Sequence, residues 1–87
     1  MLKTISPVDG RVYAERPTAT AAEIDATLQR AQAAQRQWRS VPVPERAAIM
    51  ERFCAAFEAR GAAIASELSW QIGRPIRYAP NEVRGML

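Results

Sequence analysis

The 87-residue chain has no histidine, one cysteine (Cys54) and one lysine (Lys3). One cysteine cannot form an internal disulfide, and without histidine a Cys/His zinc site has no ligands. The single thiol points to a reducing, cytoplasmic setting. A nucleophilic serine or cysteine needs a nearby base, and the one lysine sits at the frayed start of the chain. The four glycines, Gly10, Gly61, Gly73 and Gly85, are scattered, whereas a phosphate-cradling loop needs them clustered between a strand and a helix. No apolar run approaches the ~20 residues that span a bilayer, and the first residues lack the basic and apolar regions of a secretory signal. Export and membrane insertion are therefore not expected.

What remains is a helix-rich composition, with 48% hydrophobic residues and 24% charged. The net charge of +3 is spread evenly, six cations and four acids in residues 1–40 and six and five in residues 41–87. There is no basic arm for nucleic acid to grip. A free-standing basic helical module that binds nucleic acid or another protein is the competing reading, motivated by a pI near 9.8. The even mixing of charges argues against it. A chain this short buries only about 60% of its unfolded-state surface, and it carries no disulfide or metal staple.

Residues 2–16 read as a β-hairpin turning at Pro7-Val8-Asp9-Gly10, where proline presets φ and glycine accepts a positive one. Thr20-Ala21-Ala22-Glu23 is a capping box and opens a helix at about 21–39. Ile24, Leu28, Ala31, Ala34 and Trp38 then form one apolar stripe that should face a core. Val41-Pro42-Val43-Pro44 is expected to be an extended connector, with Pro44 as the first residue of a helix over 44–60. Its stripe of Ile49, Phe53, Ala56 and Phe57 fades at Arg60-Gly61, where glycine can supply a left-handed turn, and resumes with Ile64 and Leu68 in a helix over 62–72. Gly73 and Pro75 stop that helix. Pro80-Asn81-Glu82 starts a last one over 80–87, which has a start signal and no stop signal, so the sequence looks cut off.

No catalytic, cofactor-binding or metal-ligating residue stands out. Cys54 follows Phe53 on an apolar stripe and reads as a packing residue. Trp38 and Trp70 read as core anchors rather than ligand platforms. Glu45, Glu51, Glu58 and Glu67 are spaced along solvated helix faces, not paired in a cleft. Arg74, Arg77 and Arg84, with Glu82 among them, read as a solvated basic edge rather than an anion site.

Ile5-Ser6-Pro7-Val8-Asp9-Gly10, the alanine-rich helix ending in Trp38-Arg39, the Pro44-Glu45-Arg46 helix start, Gly73-Arg74-Pro75-Ile76 and Glu82-Val83, in that order, resemble the N-terminus of the aldehyde dehydrogenase superfamily. Two departures are Gln71, where the family often has glutamate, and Arg74, where it often has lysine. The resemblance implies a mostly α-helical segment with an N-terminal β-hairpin, part of an α/β Rossmann-type coenzyme-binding domain. It implies NAD(P)-dependent oxidation in which a thiolate attacks the aldehyde, hydride passes to the nicotinamide, and water hydrolyses the thioester. The nucleophilic cysteine, glutamate base and oxyanion asparagine all lie later in that family, so Cys54 does not match the nucleophile. The expected partners are the remainder of the dehydrogenase chain and further copies of the full-length enzyme. Neither NAD nor NADP is expected to bind residues 1–87 alone.

Overall fold

The computed structural model describes all of residues 1–87. The order is β1 (Leu2–Ile5), β2 (Val12–Arg16), α1 (Ala21–Trp38), α2 (Val43–Ala59), α3 (Gly61–Ile72) and α4 (Ala79–Met86). The chain is thus mostly helical with an N-terminal antiparallel strand pair. Leu2 pairs with Arg16, Lys3 with Glu15, Thr4 with Ala14 and Ile5 with Val12, so Tyr13 is an extra residue opposite the Thr4/Ile5 step. Such a bulge turns the local strand and re-aims a side chain.

The turn between the strands is closed from both sides. The Ser6 N–H donates to the Arg11 carbonyl and the Gly10 N–H to the Ser6 carbonyl, each at 2.8 Å, with Gly10 at φ +75°. The capping box forms as the sequence indicates: the Glu23 N–H donates to Thr20 Oγ1 at 3.3 Å and the Thr20 N–H to Glu23 Oε2 at 2.8 Å. Gly73 ends α3 in the left-handed region at φ +73°, its N–H donating to the Ser69 carbonyl.

Three local expectations differ. Gly61 has no positive φ; it is the first residue of α3, and a Cβ there would make an ordinary 3.6 Å contact with Val83 Cγ1. Arg60, at φ −97° and ψ 9°, carries the break between α2 and α3 instead. Helix α2 starts at Val43, with Pro42 as its cap and Pro44 second, a position that still has no intrahelical partner for an N–H. The stripe of α1 faces no core, because none of its residues is buried.

The main packing between elements joins β1 to β2, α3 to α4, and α2 to both α3 and α4; α1 is not among these principal contacts. Only Ser6, Ala65, Ala79 and Val83 are buried. The molecule measures 47 × 34 × 14 Å, with a radius of gyration of 17.5 Å. A compact chain of this length would have about 12 Å, so the molecule is flat and spread out. These elements form a flat layer that encloses almost no core.

The close approach of the hairpin turn to Gly73 gives a direct test. A Cβ on Gly73 would sit 2.9 Å from Pro7 Cγ, whereas Gly10, at nearly the same φ, has open space. Gly10→Ala should cost about 1 kcal/mol, the backbone strain of a left-handed non-glycine residue. Gly73→Ala should cost distinctly more, read as a lower urea midpoint from Trp70 fluorescence in a Trp38→Phe background.

Candidate functional site: the hairpin seat on α3 and the uncovered helix faces

The best-organised group of polar side chains lies where the hairpin meets the C-terminal half of α3. The Ser6 hydroxyl donates to the Trp70 carbonyl at 2.5 Å and accepts from the Val8 N–H at 3.2 Å. At 1% exposure Ser6 is the one buried polar residue, so this hydroxyl ties together segments 64 positions apart in sequence. The bulged Tyr13 lays its ring parallel to Trp70, centroids 6.5 Å apart. Its hydroxyl is held above its ordinary pKa mainly by hydrogen bonding to the Glu67 carboxylate. Glu67 is shifted below the usual carboxylate value, first by the Gln71 side chain, whose Nε2 donates to Oε2 at 2.8 Å, and then by Tyr13. This network clamps the hairpin and contains no nucleophile–base pair.

Most other residues singled out in the sequence lie apart from this clamp. Cys54 is a half-buried free thiol on α2. Lys3 pairs with Glu15 across the hairpin at 3.0 Å. Trp70 carries the clamp, yet it and Trp38 remain 43% and 36% exposed, so neither is the enclosed anchor expected of it. Arg74 pairs with Glu82 at 3.1 Å, and both Arg74 and Arg77 lie against the Tyr78 ring, at 5.8 and 4.5 Å from its centroid. Arg84 donates to Asn81. The basic edge is therefore laced to its own neighbours. Glu67 is exposed, as the solvated-face reading expects, and it also has two polar partners there. The spacing of Gln71 four residues after it carried half of that signal, while Tyr13 reaches it only through tertiary placement.

Nothing here fits a dinucleotide cradle. The two positive-φ glycines lie in the hairpin turn and at a helix C-terminus, not in a loop at a helix N-terminus. No three Cys, Asp or Glu side chains converge as metal ligands.

The second feature is uncovered apolar surface. Phe53 and Phe57 stack along α2 with centroids 6.0 Å apart, and with Ala56, Arg60 and Ile64 they line an open groove. Phe53 is 51% exposed. Nε of Arg46 and of Arg74 are shielded from solvent without an acceptor, an arrangement uncommon in a finished protein surface.

Comparison with known proteins decides the affiliation. The model of the aldehyde dehydrogenase family matches residues 1–87. The chain belongs to the aldehyde dehydrogenase family. It is 38% identical over 80 residues to a succinate-semialdehyde dehydrogenase [NADP(+)] of Deinococcus radiodurans, covering 92% of this chain and 17% of that one. A fluoroacetaldehyde dehydrogenase of Streptantibioticus cattleyicolor is 38% identical over 74 residues, 85% of this chain and 15% of that enzyme. A malonate-semialdehyde dehydrogenase of Bacillus licheniformis is 27% identical over 82 residues, 94% and 17% of the two chains. This chain thus spans about a sixth of the length of the aldehyde dehydrogenases it resembles. No solved structure matches it. No helix is long and apolar enough to cross a membrane.

The clamp makes a two-sided pH prediction. Glu67, with a lowered pKa, contributes stability that is present above the ordinary glutamate value and lost as pH falls through its folded value. Tyr13, with a raised pKa, contributes stability that is present below the ordinary tyrosine value and lost as pH rises through its folded value. Trp70 fluorescence in a Trp38→Phe background should be flat between these limits and change at both ends. Glu67→Gln should remove the acidic step that belongs to the hairpin.

Proposed function

We propose that these 87 residues act as the N-terminal part of the coenzyme-binding domain of an NAD(P)-dependent aldehyde dehydrogenase, a cytoplasmic homo-oligomer that oxidises an aldehyde to a carboxylic acid. Their own task is structural. Phe53, Phe57, Ile64 and Leu68 seat against the α/β, Rossmann-type remainder of that domain, and the reacting and cofactor-holding groups are supplied by residues outside this segment.

The observation that carries this reading is the area left uncovered. The chain exposes 7105 Å², against about 5,100 Å² for a compact monomer of 9.6 kDa. The surplus, about 2,000 Å², is of the size one partner gives up in an obligate interface. Family membership supports the rest of a dehydrogenase chain as the cover, and the exposed, stacked phenylalanines support α2 as part of its seat. The clamp supports the same role, because it fixes the hairpin on α3 and so presents the helices as one preformed sheet of scaffold.

The test is a chimera in which residues 1–87 replace the matching segment of the Deinococcus radiodurans relative. It should retain NADP-dependent aldehyde oxidation, and Phe53→Asp with Phe57→Asp should abolish it by preventing assembly. The 87-residue chain alone should show no cofactor reduction across a panel of aldehydes. Reduction by the isolated chain would overturn the proposal.

A further inference from the structure

The aromatic face of α2 also carries an arginine that has no counter-charge. Arg46 is half-buried, and its Nε is shielded from solvent with no hydrogen-bond acceptor. The ion pairs of the chain join Lys3 to Glu15, Arg11 to Asp9 and Arg74 to Glu82, so the other shielded arginine, Arg74, has an acid and Arg46 has none. Arg46 is also the fourth residue of α2, where its charge opposes the positive end of the helix dipole.

Its position on the helix shows what it faces. At about 100° per residue, Met50, Phe53 and Phe57 fall within about 40° of Arg46, whereas Glu45, Glu51 and Glu58 lie about 100° or more away. At the far end of the helix Arg60 lines the groove of Phe53, Ala56, Phe57 and Ile64. The uncovered face thus runs from cation to cation across two phenylalanines, with every acid of α2 turned off it. A purely apolar cover would bury Arg46 without a counter-charge, among the costliest ways to bury a side chain. The cover must therefore bring an acceptor to the Arg46 end, and a carboxylate matches the planar guanidinium fork and its charge. Arg60 is exposed, so an acid opposite it would be a rim contact of small effect.

We infer that Arg46 is the polar anchor of the α2 docking face and pairs with an aspartate or glutamate carboxylate carried by the remainder of the dehydrogenase chain. This rests on the proposed structural role of the segment and adds the chemistry of its counterpart, an acid beside the apolar side chains that cover Phe53 and Phe57. The consequence is a change of sign. In the isolated chain Arg46 is unpaired and works against the dipole of its own helix. Once the face is covered it is paired, and its loss leaves a buried carboxylate stranded.

The experiment compares wild type, Arg46→Met and Arg46→Lys in two settings. One is the isolated 87-residue chain, followed by circular dichroism. The other is the chimera with the Deinococcus radiodurans relative, followed by its melting temperature and by aldehyde oxidation after gel filtration. Arg46→Met, which keeps most of the apolar length of the side chain, should raise the helix content of the isolated chain. In the chimera it should lower the melting temperature by several degrees, and Arg46→Lys should recover part of that shift. A crystal structure of the chimera should place a carboxylate from outside residues 1–87 within about 4 Å of the Arg46 guanidinium. An assembled, active chimera that tolerates Arg46→Met would overturn this inference and leave the proposed role standing. So would a backbone carbonyl in place of the carboxylate, or an Arg46→Met change that lowers helix content in the isolated chain. A chimera with Arg46 intact that fails to assemble would overturn the role and the inference together.

Discussion

Thickness is the constraint on which everything else in this chain depends. A layer 14 Å deep gives α2, α3 and α4 neighbours among themselves and leaves most of their apolar surface uncovered. Hydrophobic stabilisation grows with apolar area removed from water, and here only Ala65, Ala79 and Val83 among the apolar side chains are fully removed. The larger ones, Phe53, Trp38, Trp70 and Ile24, stay partly wet. Helix propensity, capping and hydrogen bonds can set the shape of such a layer, but they contribute little net free energy against the conformational entropy of ordering it.

Within that limit the chain is well specified locally. The hairpin is not left as a bare two-stranded ribbon, which would be marginal in water. Ser6, Tyr13, Glu67 and Trp70 fasten it to α3, and the absence of a side chain at Gly73 lets Pro7 approach. At the other end of α3, Gly61 faces Val83 of α4 at ordinary contact distance. These are devices for holding elements in a fixed arrangement, as a scaffold requires. None of them is a device for chemistry. In the proposed role, the segment's contribution to an aldehyde dehydrogenase is a shape with exposed apolar faces.

Much of this shape was legible in the sequence, because its signals are local. The Thr20/Glu23 box, the Pro7–Gly10 turn and the Gly73 stop each depend on residues within four or five positions, and the structure shows each of them. What could not be read were contacts between distant segments. The glycine at position 73 is needed because Pro7 approaches it, and the second partner of Glu67 is Tyr13, on a bulge that alternation alone does not announce. The stripe of α1 was read as facing a core because periodicity reports only that a face is apolar. It does not say whether the chain itself supplies the cover. Family membership was legible because it rests on several short motifs kept in order, although each motif by itself is an ordinary turn or cap.

Scanning calorimetry of the isolated chain, at a concentration where it is monomeric, tests the absence of an enclosed core most directly, since the heat-capacity step on unfolding reports buried apolar area. A chain of 87 residues with an ordinary core would show about 1.0–1.3 kcal/mol/K. The account predicts a step well below that, on a broad transition. A sharp two-state transition with the full step would show that these residues bury a core of their own, and would contradict it.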